Sequence, residues 1–284
     1  MLAKADALPC DQVFIDLEDA CAPSQKVAAR EHAIEALRTH AYAGKICTVR
    51  VNDVTTPYAV RDIVEIVTRA GDRLDCLMIP KAEGADHVHF VHHLLHGLEH
   101  EIGRTVPVGL EVIVESQRGA GAVREIVAAS DRIEALVFGV GDYEVSMGIP
   151  RFEFGVADPA FPGVKWLWAM SEIANHARAP GVEAIDGPYV AFHDAAGYLE
   201  SARRGRALGF RGKWCVHPSQ IALAHAAYSP TEEDLGRARA VLDAYERAAA
   251  AGIGAAVFDG FMIDEATRKL AADMLSAAGG AETG

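Results

Sequence analysis

Two carboxylates, Glu115 and Asp142, each close a strongly apolar run. Both offer hard oxygen donors of the kind that Mg²⁺ or Mn²⁺ prefers, and two are too few to enclose the ion. Such a pair leaves coordination positions for water and substrate, which is the layout of a catalytic Lewis acid. The alternative is structural: each carboxylate would pair with an arginine or cap the next helix. Arg50 ends another apolar run, 46–52 (ICTVRVN). A guanidinium there could clamp a carboxylate, stabilise a developing oxyanion, or pair with Glu18 or Asp19. Lys81, after Ile79-Pro80, offers a phosphate contact, an ion pair or a Schiff-base nucleophile. Asp16, Glu18, Asp19 and Asp186 close further runs, as do Asn52, Glu83 and His217. So many carboxylates at one place would be costly to bury without a cation or hydrogen bonds to offset them.

The elements that must hold these groups alternate. Strand-length apolar runs lie at 13–19, 46–52, 76–83, 108–115, 135–142, 182–187 and 213–217. Near-continuous apolar character suits strands covered on both faces, as in a parallel sheet. Amphipathic stretches between them read as helices, among them 24–39, 58–70, 86–101 and 195–208. This order predicts an α/β fold, a (β/α)8 TIM barrel of about 250 residues, with its chemistry at the C-terminal strand ends. The seven strands are one short of eight, and the chain opens on a helix, 2–8, so the first barrel strand is expected to be missing.

Residues 1–228 are therefore read as the barrel and 229–284 as a C-terminal helical extension that packs on a neighbouring subunit. In the extension, Ser229, Pro230 and Glu232 predict a capped start for a helix over 230–250, and a last helix runs from Asp264 to about 278. The irregular stretch 143–163 is expected to be a loop covering the substrate. His92, His96 and His100 share one helical face, a spacing that zinc could use, but that helix belongs outside the barrel, and a solvated face is the better reading.

Composition narrows the partners. The formal charge is −13, from 27 Lys and Arg against 40 Asp and Glu, with no basic block of the sort nucleic acid requires. There is no run of 18 apolar residues, and the N-terminus has no signal-peptide pattern, so no membrane association is expected. The five cysteines, Cys10, Cys21, Cys47, Cys76 and Cys215, are scattered and odd in number, which suits reduced thiols and a cytoplasmic location.

Several motifs in order resemble the citrate lyase β-subunit-like (HpcH/HpaI aldolase) family. They are Asp16-Leu-Glu-Asp-Ala20, Val49-Arg-Val-Asn52, Ile79-Pro-Lys81, Glu115-Ser-Gln-Arg-Gly119, Phe138-Gly-Val-Gly-Asp142, Ala184-Ile-Asp-Gly-Pro188 and Gly212-Lys-Trp-Cys-Val-His-Pro-Ser-Gln-Ile221. The Gly-Asp-Tyr after Phe138, the Ala-Ile-Asp-Gly-Pro and the Lys-Trp before His217 look closest to the malyl-CoA and β-methylmalyl-CoA lyase branch. The resemblance runs from about residue 1 to 275. It implies a metal-dependent carbon–carbon lyase that cleaves a short hydroxyacyl-CoA thioester such as malyl-CoA to acetyl-CoA and glyoxylate, as a homotrimer or homohexamer using Mg²⁺ or Mn²⁺. Glu115 and Asp142 match the metal ligands, and Arg50 the arginine facing the thioester. Asp264, in Met262-Ile-Asp264, matches an aspartate that completes a neighbour's site; it would also serve as a helix N-cap. Lys81 is expected to contact substrate, with Asp16, Glu18, Asp19 and Asp186 supporting Arg50 and the metal's waters. Family members usually begin with a strand of the type Arg-Ser-x-Leu-x-Val-Pro-Gly-Ser, which matches the missing strand. The alternatives left open are a malyl-CoA thioesterase, a citramalyl-, β-methylmalyl- or citryl-CoA lyase, and a non-catalytic CoA-binding paralogue.

Overall fold

The computed structural model describes residues 2–40, 42–150, 152–159 and 165–280, and the chain divides into two compact units, 1–227 and 228–284. The first alternates strands and helices: α1 (Leu2–Ala5), β1 (Gln12–Asp16), α2 (Lys26–Thr39), β2 (Ile46–Arg50), α3 (Ala59–Ala70), β3 (Cys76–Ile79), α4 (Ala85–Ile102) and β4 (Gly109–Val114). It continues with α5 (Gln117–Gly121), α6 (Val123–Ala128), β5 (Ile133–Phe138), α7 (Val140–Ser146), α8 (Leu167–Arg178), β6 (Glu183–Asp186), α9 (Ala195–Ala207), β7 (Gly212–Lys213) and α10 (Ile221–Tyr228). All seven strands are parallel and lie in sequence order, as right-handed strand–helix crossovers require.

The sheet curls. Met78, Ile113 and Val137 form a buried cluster, joined by Phe14 of β1, Ile185 of β6 and Trp214 just after β7. Residues from both edges and the middle of the sheet thus meet on one concave face. Phe14 and Trp214 stack with ring centroids 4.6 Å apart, and His225 of α10 bonds Asp11 at 3.2 Å, so side chains from the two edges of the sheet reach each other. Among the described residues no ladder joins them. The alternate residues, such as Leu17, Val49, Leu77, Val112 and Leu136, are fully buried beneath the helices.

The strands are shorter than the apolar runs suggest. Pro80 has no N–H to continue β3, and the polar residues past each strand leave the ladder to bond one another. Asp142 closes no strand: the chain breaks at Gly139 and enters α7, so Asp142 sits in that helix's first turn. The stretch expected as an irregular loop from 143 therefore begins inside a helix; residues 151 and 160–164 lie outside the described residues.

The second unit holds α11 (Glu232–Ala250), the hairpin β8–β9 (Ala256–Phe258 and Phe261–Ile263) and α12 (Glu265–Gly280). Ala238, Val241, Ile263 and Ala271 form its core. Its first helix is capped by Thr231, not Ser229. Thr231 accepts the Asp234 N–H at 3.0 Å, and the Asp234 carboxylate accepts the Thr231 N–H at 2.9 Å. That reciprocal pair satisfies two otherwise orphaned donors. The hairpin pairs because Asp259-Gly260, both at positive φ, turn the chain tightly.

Candidate active site

At the C-terminal ends of β1 to β5 the structure brings together Asp16, Glu18, Asp19, Arg50, Lys81, Glu115 and Asp142. Register sets the first pair: Asp16 lies opposite Arg50 across β1 and β2. The Arg50 guanidinium donates to both Asp16 oxygens, at 2.7 and 2.5 Å, and a third nitrogen lies 3.3 Å from Glu18. Burial raises the Asp16 carboxyl, yet the two bonds from Arg50 outweigh it and hold the group below its usual value. For Arg50 the same carboxylates outweigh burial and push its pKa up, so it is permanently charged.

Lys81 ties this pair to the next strand. Its ammonium lies 2.5 Å from Glu18 and 3.3 Å from Asp19. Its backbone N–H donates to Glu115 at 2.7 Å from a left-handed conformation, φ 51°, that few side-chain-bearing residues adopt. The turn after Ile79-Pro80 thus aims one donor at the carboxylate of the neighbouring strand. On the other side, Gly139 makes room. A Cβ there would lie 2.4 Å from the Glu115 Cβ and 2.5 Å from its Oε2.

Glu115 is almost wholly buried, and its carboxyl is pushed up to about 8, first by burial and then by Asp142, against the Lys81 N–H. The Asp142 carboxyl is also raised by burial, opposed by Lys81 and Arg50. When all are ionised, the five carboxylates Asp16, Glu18, Asp19, Glu115 and Asp142 face two cations, Arg50 and Lys81. Of the excess, Glu115 and Asp142 carry the part that has no direct cationic partner. That donor set fits a hard divalent cation, which would restore the charge of both carboxylates. Among the described residues no three His, Cys, Asp or Glu side chains converge on one point, so further ligands would come from water or substrate.

Other expected residues lie elsewhere. Asp186 does not support Arg50. Its neighbour Ile185 takes the concave face, so Asp186 turns toward the helices, where it accepts from Lys213 at 2.6 Å and lines a small cavity with Phe138, Trp166 and Met170. Asn52 bonds the buried Asp62, which also holds Arg30. Glu83 faces Arg118 at 3.5 Å, and His217 is exposed, its Nδ1 near Ser219. Asp264, in the second unit, caps α12 by accepting the N–H groups of Ala266 and Thr267 at 3.0 and 3.1 Å. The histidine face of α4 is only partly solvated: His92 bonds Ser130 at 2.7 Å. Two contributors escaped sequence reading, Gly139 and Trp214. The Gly-x-Gly before Asp142 was a signal for the first and the Lys-Trp motif for the second, though neither residue was read as part of the site.

The profile of the family described as HpcH/HpaI aldolase/citrate lyase matches residues 1–218. The L-malyl-CoA/β-methylmalyl-CoA lyase of Cereibacter sphaeroides is 39% identical over 98% of this chain and 92% of its own length. Citrate lyase subunit β of Leuconostoc mesenteroides is 33% identical over 93% of this chain and 84% of its own. The protein CitE from Mycobacterium tuberculosis, in complex with magnesium, acetoacetate and coenzyme A, superposes with a TM-score of 0.75 at 31% identity, over 95% of this chain and 90% of that one.

Proposed function

The chain belongs to the HpcH/HpaI aldolase/citrate lyase family, and on that footing we propose that it is a divalent-metal-dependent lyase that cleaves malyl-CoA, or a close hydroxyacyl-CoA, reversibly to acetyl-CoA and glyoxylate. The observation that carries the reading is the charge balance at the strand ends. Two buried carboxylates with raised pKa and no cation of their own lie within electrostatic reach of a guanidinium already fixed by others. Mg²⁺ or Mn²⁺ held by Glu115 and Asp142 would supply a Lewis acid at the hydroxy-acid end of the substrate.

The protein's own groups do the rest. The bond between the hydroxyl-bearing carbon and the acetyl carbon breaks. Its electron pair moves into the thioester, whose oxygen gains charge. Arg50, oriented by Asp16 and Glu18, donates to that oxygen and stabilises it. The hydroxyl proton departs as the aldehyde forms, and the acetyl carbon takes up a proton. Asp264 of a neighbouring subunit, in a homotrimer or homohexamer, handles one of these protons. Lys81 engages Glu18 and Asp19, so that they compete less for the metal, and keeps an ammonium at the mouth of the site as a contact for an anionic substrate. The curled sheet is read as a (β/α)8-type barrel whose remaining strand position lies between β1 and β7, and residues 229–284 as the extension that reaches the neighbour. Free thiols favour the cytoplasm.

The test is to incubate the protein with malyl-CoA, with Mg²⁺ and separately with EDTA, following glyoxylate and free CoA together. Metal-dependent glyoxylate with acetyl-CoA is the expected result. Free CoA without glyoxylate would make the protein a thioesterase. Glyoxylate formed in EDTA, with borohydride trapping on Lys81, would replace the metal route by a Schiff base.

A further inference from the structure

Between the β1 and β7 edges of the sheet, side chains meet without a ladder. Trp214 follows β7, and its N–H donates to the Asp186 carbonyl at 3.0 Å, which prolongs the strand direction. Lys213 turns outward to Asp186, so the alternation of strand side chains turns the Trp214 indole onto the concave face. There it stacks on Phe14 at 4.6 Å with 29° between the ring planes, and packs against the buried cluster of Met78, Ile113 and Val137. The Arg50 guanidinium carbon lies 5.8 Å from the centroid of the same indole, within the range of a cation–π contact.

Arg50 is thus bounded by two kinds of neighbour. Asp16 and Glu18 hold its nitrogens. The paired bonds to Asp16 permit a tilt about the line joining the two groups, and Glu18, 3.3 Å from the remaining nitrogen, opposes that tilt at one point only. An aromatic surface beside it, itself fixed by Phe14, removes that freedom and adds no competing acceptor. We propose that Trp214, seated on Phe14, is a positioning residue for Arg50, holding the guanidinium in the attitude that meets the substrate's thioester oxygen. The proposal rests on the assignment of Arg50 to that oxygen under Proposed function.

The experiment is a double-mutant cycle with an independent spectroscopic readout. Trp214→Leu is expected to lower kcat for malyl-CoA cleavage about tenfold, with KM little changed, as displacement of a transition-state donor would. Trp214→Phe, which keeps an aromatic face, is expected to retain most of the activity, and it carries the test should Trp214→Leu not fold. In an Arg50→Lys background the further loss from either substitution is expected to shrink to about twofold or less, because the two residues act as one unit. Losses that multiply independently would overturn the proposal. The second readout is the Arg50 Nε–H resonance in ¹⁵N NMR, protected by its bond to Asp16. It is expected to move when the indole is removed, and less in Trp214→Phe. An unmoved resonance would overturn the proposal whatever the activity. A chain with no lyase activity but a shifted resonance would refute the proposed function and leave the positioning contact standing.

Discussion

Glu111 lies within the curled sheet, opposite Met78 in the pairing of β3 with β4, and takes no part in the site. Burial pushes its carboxyl up to about 7, although Thr48 and Gln12 both donate to it and favour the charge. Its ordinary value is 4.5, so between the two values the folded chain binds a proton that the unfolded chain does not. Stability must then fall as pH rises through that window. Glu111→Gln imitates the protonated group and removes the effect. In EDTA, the variant is expected to gain on the parent by on the order of 3 kcal/mol between pH 4.5 and 8. Denaturant melts at the two pH values check this; parallel pH slopes for parent and variant would refute it. At this scale residue type was informative. Glu115, Asp142 and Arg50 stood out because a charge at the end of an apolar run needs a reason. Asp186 misled for a related cause. Both faces of a parallel strand are buried, so Val-Glu-Ala-Ile-Asp-Gly does not tell which way the aspartate turns.

Among elements, the turn from β5 into α7 decides how Glu115 is held. Gly139 and Gly141 both belong to the motif before Asp142, yet they do different work. A Cβ at 139 would lie 2.4 Å from the Glu115 Cβ and 2.9 Å from Ile113, whereas one at 141 would make an ordinary 3.6 Å contact with Phe154. Gly139→Ala is expected to cost about 1–3 kcal/mol of stability and to weaken Mn²⁺ binding measured by electron paramagnetic resonance. Gly141→Ala lies inside a helix and is expected to be neutral, or stabilising by up to about 1 kcal/mol. Equal effects of the two substitutions would show that the motif serves the turn alone. The alternation of strands and helices was legible from apolar periodicity. Their ends were not, because a hydrogen-bond ladder stops where partners stop, as at Pro80, and apolar character continues past that point.

For the molecule as a whole, the division at 227 and 228 leaves Asp264 in a different unit from Glu115 and Asp142. The proposed sharing of a site between subunits makes a sharp prediction. Asp264→Asn and Glu115→Gln chains are each expected to be inactive. Unfolded, mixed and refolded together, they are expected to recover activity, because some assembled sites then carry both intact residues. Asn is itself a good N-cap, so Asp264→Asn keeps α12 capped and isolates the chemistry. Circular dichroism of each variant checks that it folds, and a mixture as inactive as its parts would refute the sharing of a site between subunits.

The order of elements, their parallel arrangement and the singling out of Glu115, Asp142, Arg50 and Lys81 as candidates came from the sequence alone. They follow from local periodicity and from the cost of placing charge beside apolar strands. Tertiary structure decided what depends on curvature and register. It set Asp16 against Arg50, turned Asp186 away from it, and used a backbone N–H of Lys81 and the bare Cα of Gly139 to hold Glu115 between them. It also brought Trp214 to Phe14 and Arg50 from the opposite edge of the sheet. No local pattern encodes that contact, because it exists only once the sheet has curled far enough for side chains from its two edges to meet.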